Sequence, residues 1–259
     1  MTAAPAPKGI VAVVGVGPRL GRSIARKFAH EGYTVAILAR DLGKLSRFAD
    51  EIAREEKGQV FAIRIDCSDP KSVREAFEGV LSLGFVEVLV YNACAPHPPH
   101  AQGSNFQNVS LESFENALAV SAVGAFQCAQ SVIPGMVERR RGTILFTGSS
   151  VSLRGLPGHC ELSCGKFALR GLSQCLADEF QPQGIHVAHI VIDGSVRPPG
   201  YSESSSSTRG AVAGAGAEAA SESEGLMDPD ALAQTYWHIH FQDKSAWTRE
   251  IDLRSYSCH

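Results

Sequence analysis

Apolar residues in this chain come in short unbroken runs, and the stretches between the runs repeat at helical spacing. The runs are "IVAVV" (10–14), "TVAILA" (34–39), "QVFAIRI" (59–65), "VEVLVY" (86–91), "GTILFTG" (142–148) and "IHVAHIVI" (185–192). They are short, β-branched and without the strict polar alternation of a half-exposed strand, so they read as buried strands. Amphipathic helices are expected at 19–31, 42–56, 70–82, 111–134 and 161–180. Buried strands alternating with helices predict a doubly wound parallel α/β sheet, in a single domain over residues 1–259. In such a sheet ligands sit beyond the carboxyl ends of the strands. Asp228 followed by Pro229 starts a further short helix, and "TREIDLRSY" reads as a final edge strand.

One stretch breaks the pattern. "SESSSSTRGAVAGAGAEAASESEG" (202–225) has almost no large apolar side chain, so it cannot offset its ordering entropy. Residues 200–227 are therefore expected to be a flexible segment, either a plain surface insertion or a lid over a substrate.

Composition narrows the function classes only modestly. A net charge of −3 gives no reason to expect nucleic acid or an anionic membrane as partner. No uninterrupted apolar run approaches the ~20 residues of a membrane-spanning helix. "MTAAPAPKG" has no apolar signal core, so a cytoplasmic protein is expected. The seven cysteines are scattered and odd in number, which fits a reducing compartment better than a disulfide framework. Cys160 and Cys164, beside His159, read as small residues packing a helix start, so no metal site is expected. His97 and His100 fall in a proline-rich loop.

The strongest chemical signal is "VVGVGPRLGRSIA", which follows the first strand and opens the first helix. Gly15 permits a tight turn, Gly17 lets the backbone approach a phosphate, and Gly21 allows close helix–strand packing. The helix N-terminus then faces a pyrophosphate. Arg40 ends the second strand where an acid would bind an adenosine 2′-hydroxyl. A guanidinium there favours a 2′-phosphate, hence NADP(H) over NAD(H); a solvated strand-end charge is the plainer alternative.

"GVGPRLG", "DCSD" (66–69), "YNAC" (91–94), "TGSS" (147–150), Lys166 and "DGSV" (193–196), in this order, resemble the short-chain dehydrogenase/reductase family over about 9–199. The resemblance implies a Rossmann-type fold and a dinucleotide lying along Gly15, Gly17, Arg19, Leu20 and Gly21. It implies that Asp66, with Cys67 beside it, contacts the adenine. Asn92 and Ala93 would flank the adenosine ribose, Lys166 would bond the nicotinamide ribose, and the backbone at Val196 would touch the carboxamide. It also implies homodimers or homotetramers built on the two long helices.

The resemblance breaks at the chemistry. The family's glycine string is T-G-x-x-x-G-x-G, and Arg19 occupies its middle glycine. Arg19 either adds a phosphate contact or crowds the pyrophosphate. Of the family's Asn, Ser, Tyr and Lys, the serine is Ser149 or Ser150 and the lysine is Lys166. The asparagine position holds Ser121 and the tyrosine position holds Leu162, which transfers no proton. Losing a positioned general acid costs about 10²–10⁴ in rate. His159, before the helix, is one candidate to turn inward as an acid–base group, against the plain reading of a solvated loop histidine. Glu161 points about 100° away from position 162. Tyr201 and Tyr236, flanking the low-complexity segment, are further candidates. The reading is an atypical NADP(H)-dependent oxidoreductase acting on a small, largely apolar carbonyl or enone. A non-redox isomerase, cyclase or lyase on the same fold, or a catalytically silent cofactor-binding scaffold, stand as alternatives.

Overall fold

The structure is a computed structural model that describes residues 8–95, 106–199 and 226–256. The 202–225 stretch, His97, His100 and Tyr201 lie outside the described residues.

The apolar runs form the expected strands: β1 (Ile10–Val14), β2 (Thr34–Ala39), β3 (Val60–Arg64), β4 (Val86–Tyr91), β5 (Gly142–Ser149) and β6 (Ile185–Asp193), joined by β9 (Glu250–Arg254) at one edge. They make one parallel sheet in the order β3-β2-β1-β4-β5-β6-β9. The order reverses at β1, so the crevice between the β1 and β4 carboxyl ends is the topological switch point. All residues of β1 and β4 are buried. Edge strand β3 shows no fully buried position.

Helices α1 (Leu20–His30) and α2 (Leu42–Glu56) cover one face with the last helix, α7 (Pro229–His240). Helices α3 (Pro70–Ser82), α4 (Leu111–Leu118), α5 (Gly124–Arg139) and α6 (Cys160–Phe180) cover the other. Asp41, Asp69, Ser110 and Asp228 each accept a backbone N–H at the start of their helices, satisfying a donor that the helix itself leaves unpaired.

Two sequence expectations change here. The helix expected at 111–134 runs through Pro134 to Arg139, and it contains a π-turn at Ala119–Val123. The whole run Leu111–Arg139 is long and apolar enough to cross a membrane by length and composition. Its apolarity has another cause, since its side chains Ala125, Cys128, Ala129 and Val132 form part of the core with Leu89 and Phe146. Leu226 and Met227, at the end of the segment expected to be flexible, form a short strand β8 parallel to β7 (Ser195–Val196).

Helix α7 is fastened to α1 by aromatic side chains. Phe28 meets Trp237 edge-on at 5.7 Å and Tyr33 at 5.8 Å. His240 completes the cluster with Nε2 2.9 Å from the Tyr33 hydroxyl and Nδ1 2.9 Å from Thr143 Oγ1. Burial disfavours its imidazolium, and His186 and Arg141 add repulsion, so its pKa falls to about 4.

A buried base with a lowered folded pKa binds fewer protons folded than unfolded. Its stabilising contribution is complete above the ordinary histidine value and is lost as pH falls toward 4. The drop from 6.5 to about 4 corresponds to about 3 kcal/mol at most. Urea unfolding at pH 7 and pH 4.5 should therefore show a loss on acidification that is smaller in His240→Asn than in the parent chain. Equal losses in both would show that other groups carry the acid sensitivity.

Candidate functional site

The β1–α1 turn is built by a steric demand. Gly15 has φ +85, and a Cβ there would sit 2.4 Å from the Ala93 amide nitrogen. The turn therefore lies directly against the end of β4. Asn92 locks it there, its N–H bonding Val14 O at 2.8 Å and its Nδ2 donating to Gly15 O at 2.9 Å. Gly21 also has no room for a side chain, since its Cβ would be 2.8 Å from Val16 Cα. Gly17 is the opposite case, because a Cβ added there would meet nothing within 4 Å. Its open side faces away from the protein, as a backbone reserved for a ligand would.

Helix α1 begins at this turn with Arg19 as its cap residue, without a side-chain cap bond and without an acid in its first turn. Its positive end is thus left for an anion. Leu20 is buried, so only its backbone can face that anion. Arg19 and Arg40 are exposed at the rim. Asp66 lies within the field of Arg40, and its Oδ1 accepts the Ser68 N–H at 3.0 Å and the Ser68 hydroxyl at 2.6 Å. Those two bonds, ahead of the Arg40 charge, hold its carboxyl below the usual range. Cys67 points inward, and burial pushes its thiol up to about 11. The glycine turn, Arg40, Asp66, Asn92 and Ala93 thus line one edge of the sheet, where a dinucleotide fits.

The catalytic candidates gather on the same edge, at the end of β5. Ser149 ends the strand, and its N–H donates to Ser152 Oγ at 3.1 Å. Ser150 opens the following turn, and both serines are half-buried. Lys166 comes from α6 and is 4% exposed. Its Nζ donates to Thr147 O at 2.8 Å, two residues before Ser149. Burial lowers its pKa, and the nearby Cys94 opposes that shift. Leu162, one turn earlier on α6, is half-buried.

His159 caps α6, with its carbonyl accepting the Ser163 N–H at 2.8 Å. Glu161 turns toward α4, where Ser113 Oγ donates to it at 3.2 Å, so it is held away from position 162 as the helical angle requires. Val196 lies in β7. Tyr236 does not enter the cleft. It is fully buried with its hydroxyl 2.7 Å from Thr147 Oγ1, and burial raises its pKa. It supports the same Thr147 whose carbonyl holds Lys166.

Two features were not expected from sequence. Ser121 falls inside the π-turn, a local widening often found at functional positions. Its hydroxyl and that of Ser163 are buried without a hydrogen-bond partner among the described residues. Cys94, the exposed last residue of "YNAC", lies close enough to Lys166 to affect its charge. Spacing in the "YNAC" string carried the only hint of Cys94.

The sequence profile of the short chain dehydrogenases matches residues 9–205. The chain belongs to that family. This short-chain dehydrogenase is 30% identical over 198 residues to a 3-dehydrosphinganine reductase of Danio rerio, covering 74% of its own length and 58% of the relative's. It therefore spans only a little over half the length of that relative. It is 32% identical over 178 residues to a 3-oxoacyl-[acyl-carrier-protein] reductase of Staphylococcus epidermidis, covering 68% and 70% of the two chains. Among solved structures, a short-chain dehydrogenase from Rhodopseudomonas palustris superposes with a TM-score of 0.77 at 29% identity, covering 95% and 98% of the two chains. An alcohol dehydrogenase from Thermococcus sibiricus, complexed with 5-hydroxy-NADP, has the same fold, with a TM-score of 0.81 at 23% identity and coverage of 98% and 99%.

The two turn glycines should separate by stability. Gly15→Ala meets both a backbone clash and a strained φ, and should lower stability by roughly 2–4 kcal/mol. Gly17→Ala should stay within about 0.5 kcal/mol of the parent. Denaturant midpoints of the two variants check this, and similar losses in both would show that Gly17 is a packing position.

Proposed function

We propose that this chain is an atypical NADP(H)-dependent oxidoreductase for a small, largely apolar carbonyl or enone. The observation that carries the reading is one edge of the sheet holding both halves of a site. The open Gly17 turn and uncapped α1 stand beside Ser149, Ser150 and buried Lys166, with Leu162 one helical turn before Lys166. NADP(H)-complexed neighbours of the same fold support the cofactor.

In this reading the α1 amides hold the pyrophosphate, Arg19 borders it, Arg40 holds the 2′-phosphate and Asp66 contacts the adenine. NADPH, when bound, supplies hydride. Lys166 keeps one proton on Thr147 O and presents its remaining N–H groups toward the ribose. Ser149 or Ser150 donates a hydrogen bond to the substrate oxygen. Leu162 gives the substrate an apolar wall where a tyrosine would deliver a proton. Protonation then falls to water, which suits reduction of an activated C=C bond, because the proton is taken by carbon after hydride addition. His159 is the side chain best placed in sequence to assist.

Val123 at the end of the π-turn, Phe126 on α5 and Phe167 on α6 leave apolar surface, with exposures of 47%, 48% and 41%. That surface supports a homodimer or homotetramer built on these helices. The free cysteines among the described residues are consistent with a cytoplasmic protein.

NADPH oxidation measured against a panel of enones and ketones tests the reading. Enones should turn over and ketones should lag. Leu162→Tyr should raise ketone reduction by roughly 10²-fold or more. Arg40→Ser should weaken NADPH binding about tenfold and leave NADH binding little changed, since only the 2′-phosphate contact is lost. Tight NADPH binding with no turnover of any substrate, in the parent and in Leu162→Tyr, would overturn the enzyme reading in favour of a scaffold.

A further inference from the structure

The opposite edge of the sheet, where β4, β5 and β6 begin, carries polar groups that the oxidoreductase reading does not use. Two cavities of about 460 and 230 Å³ open there side by side and share Gly184, Lys244 and Trp247. Small organic ligands occupy sites of ~300–1,000 Å³. The larger cavity sets three cations, Arg140, Lys244 and Arg249, around one carboxylate, Asp178.

That carboxylate is committed. Arg249 Nη1 holds Asp178 Oδ1 at 2.6 Å, and its other guanidinium nitrogens bond Gln181 Oε1 at 2.8 and 3.2 Å. Arg140 Nη2 donates to the Pro182 carbonyl at 3.2 Å. Lys244 lies 6.0 Å from the centre of the Trp247 ring. Neither Arg140 nor Lys244 has a carboxylate partner among the described residues. Two cations thus face one cavity from separate elements with their charge uncompensated.

The wall beside them is fixed. Trp247 stacks on buried His186 at 4.7 Å with the rings 2° from parallel, and its Nε1 donates to Gln242 O at 3.3 Å. His186 is held in turn by Thr248 O at 2.8 Å. A pre-set indole next to two unneutralised cations offers an apolar wall and a charge contact in one cavity.

We propose that this cleft binds a small organic phosphate, with its charged group between Arg140 and Lys244 and its carbon skeleton against Trp247. A guanidinium and an ammonium together suit a phosphate dianion. A single inorganic ion would leave most of a 460 Å³ cavity unused. The site is independent of the proposed reaction, because β5 separates the two edges by roughly 20 Å.

The chain has two tryptophans, Trp237 and Trp247, so Trp237→Phe leaves Trp247 as the sole indole reporter. Titrating that variant with glucose 6-phosphate, in the presence of saturating NADPH, should give a saturable change in Trp247 fluorescence. Glucose should give none, and inorganic phosphate should bind at least threefold more weakly. Arg140→Asn, which tolerates the left-handed backbone at that position (φ 48), and Lys244→Gln should each weaken binding about tenfold. Asp178→Asn should tighten it about threefold, a gain that misfolding cannot produce. The proposal is overturned by no saturable change in the reporter variant and in Asp178→Asn, or by equal responses to glucose 6-phosphate and inorganic phosphate. An unchanged affinity in the Arg140 and Lys244 variants would overturn it as well.

Discussion

Covering the central strands on both faces decides where this molecule can keep polar chemistry. Every residue of β1 and β4, and all but the last of β5, are buried. An unpaired polar side chain within those strands costs several kcal/mol, and a charge costs more. Functional groups are therefore pushed to the strand ends. The one carboxylate in β4, Glu87, stands at the entry end and is paired with Arg141 at 3.2 Å and with the Gly9 N–H at 2.8 Å. At the exit ends, backbone amides, Asn92 and the β5 serines collect around the glycine turn. The division of the molecule into two chemically distinct edges follows from the apolarity of its middle.

Helix α6 connects the core to the exit edge. In its first two turns the buried positions, Glu161, Ser163, Gly165 and Lys166, are small or polar, because the helix must lie close to α4 and still deliver a lysine. A Cβ at Gly165 would sit 2.9 Å from Ser121 Oγ and 3.0 Å from Ala117 O, so the helices touch there almost backbone to backbone. Glu161, one turn earlier, faces Ser113 across the same contact. Lys166 lies on the adjoining face and enters the sheet at Thr147. Leu162 shares the side of Lys166 by helical spacing. In the proposed reading, a leucine at that position keeps the packing of α6 and leaves an apolar wall beside Lys166.

Most of this was legible in sequence where the signal is local. Buried strands announce themselves as runs of β-branched residues, and their ends fell within a residue or two of the observed ones. The glycine turn was legible because its demand on Gly15 and Gly21 is steric and acts over a few residues. Signals that depend on tertiary contact were not. The expected helix ends at residue 134, yet burial of Val132 and Met136 on either side of Pro134 carries it on to Arg139. Tyr236, beside a low-complexity segment, reads as a candidate to enter the cleft, but its hydroxyl meets Thr147 in the core. The cleft at the entry edge joins residues near 140, 180 and 245, and no motif spans such distances. The proposed role of Leu162 rests on comparison with a family pattern, since a sequence shows which residue fills a position and not which group faces it.

The two histidines inside the otherwise apolar run "IHVAHIVI" show how the edges are coupled. Three residues apart on a strand, they point to opposite faces. Both serve to attach the last strand. His186 Nε2 bonds Thr248 O at 2.8 Å on one face, and His189 Nδ1 meets Glu250 Oε2 at 3.0 Å on the other. Glu250 is in turn gripped by Arg170 of α6 at 2.7 and 2.9 Å, and that bond, before the His189 contact, holds its carboxyl below the usual range. Arg170 follows Lys166 by one helical turn. The edge strand, the buried histidine and the lysine helix are thus one mechanical unit. A polar residue placed in a buried strand looks like an error of patterning, and here it is the joint that fixes the register of β9 and the seat of Lys166 together.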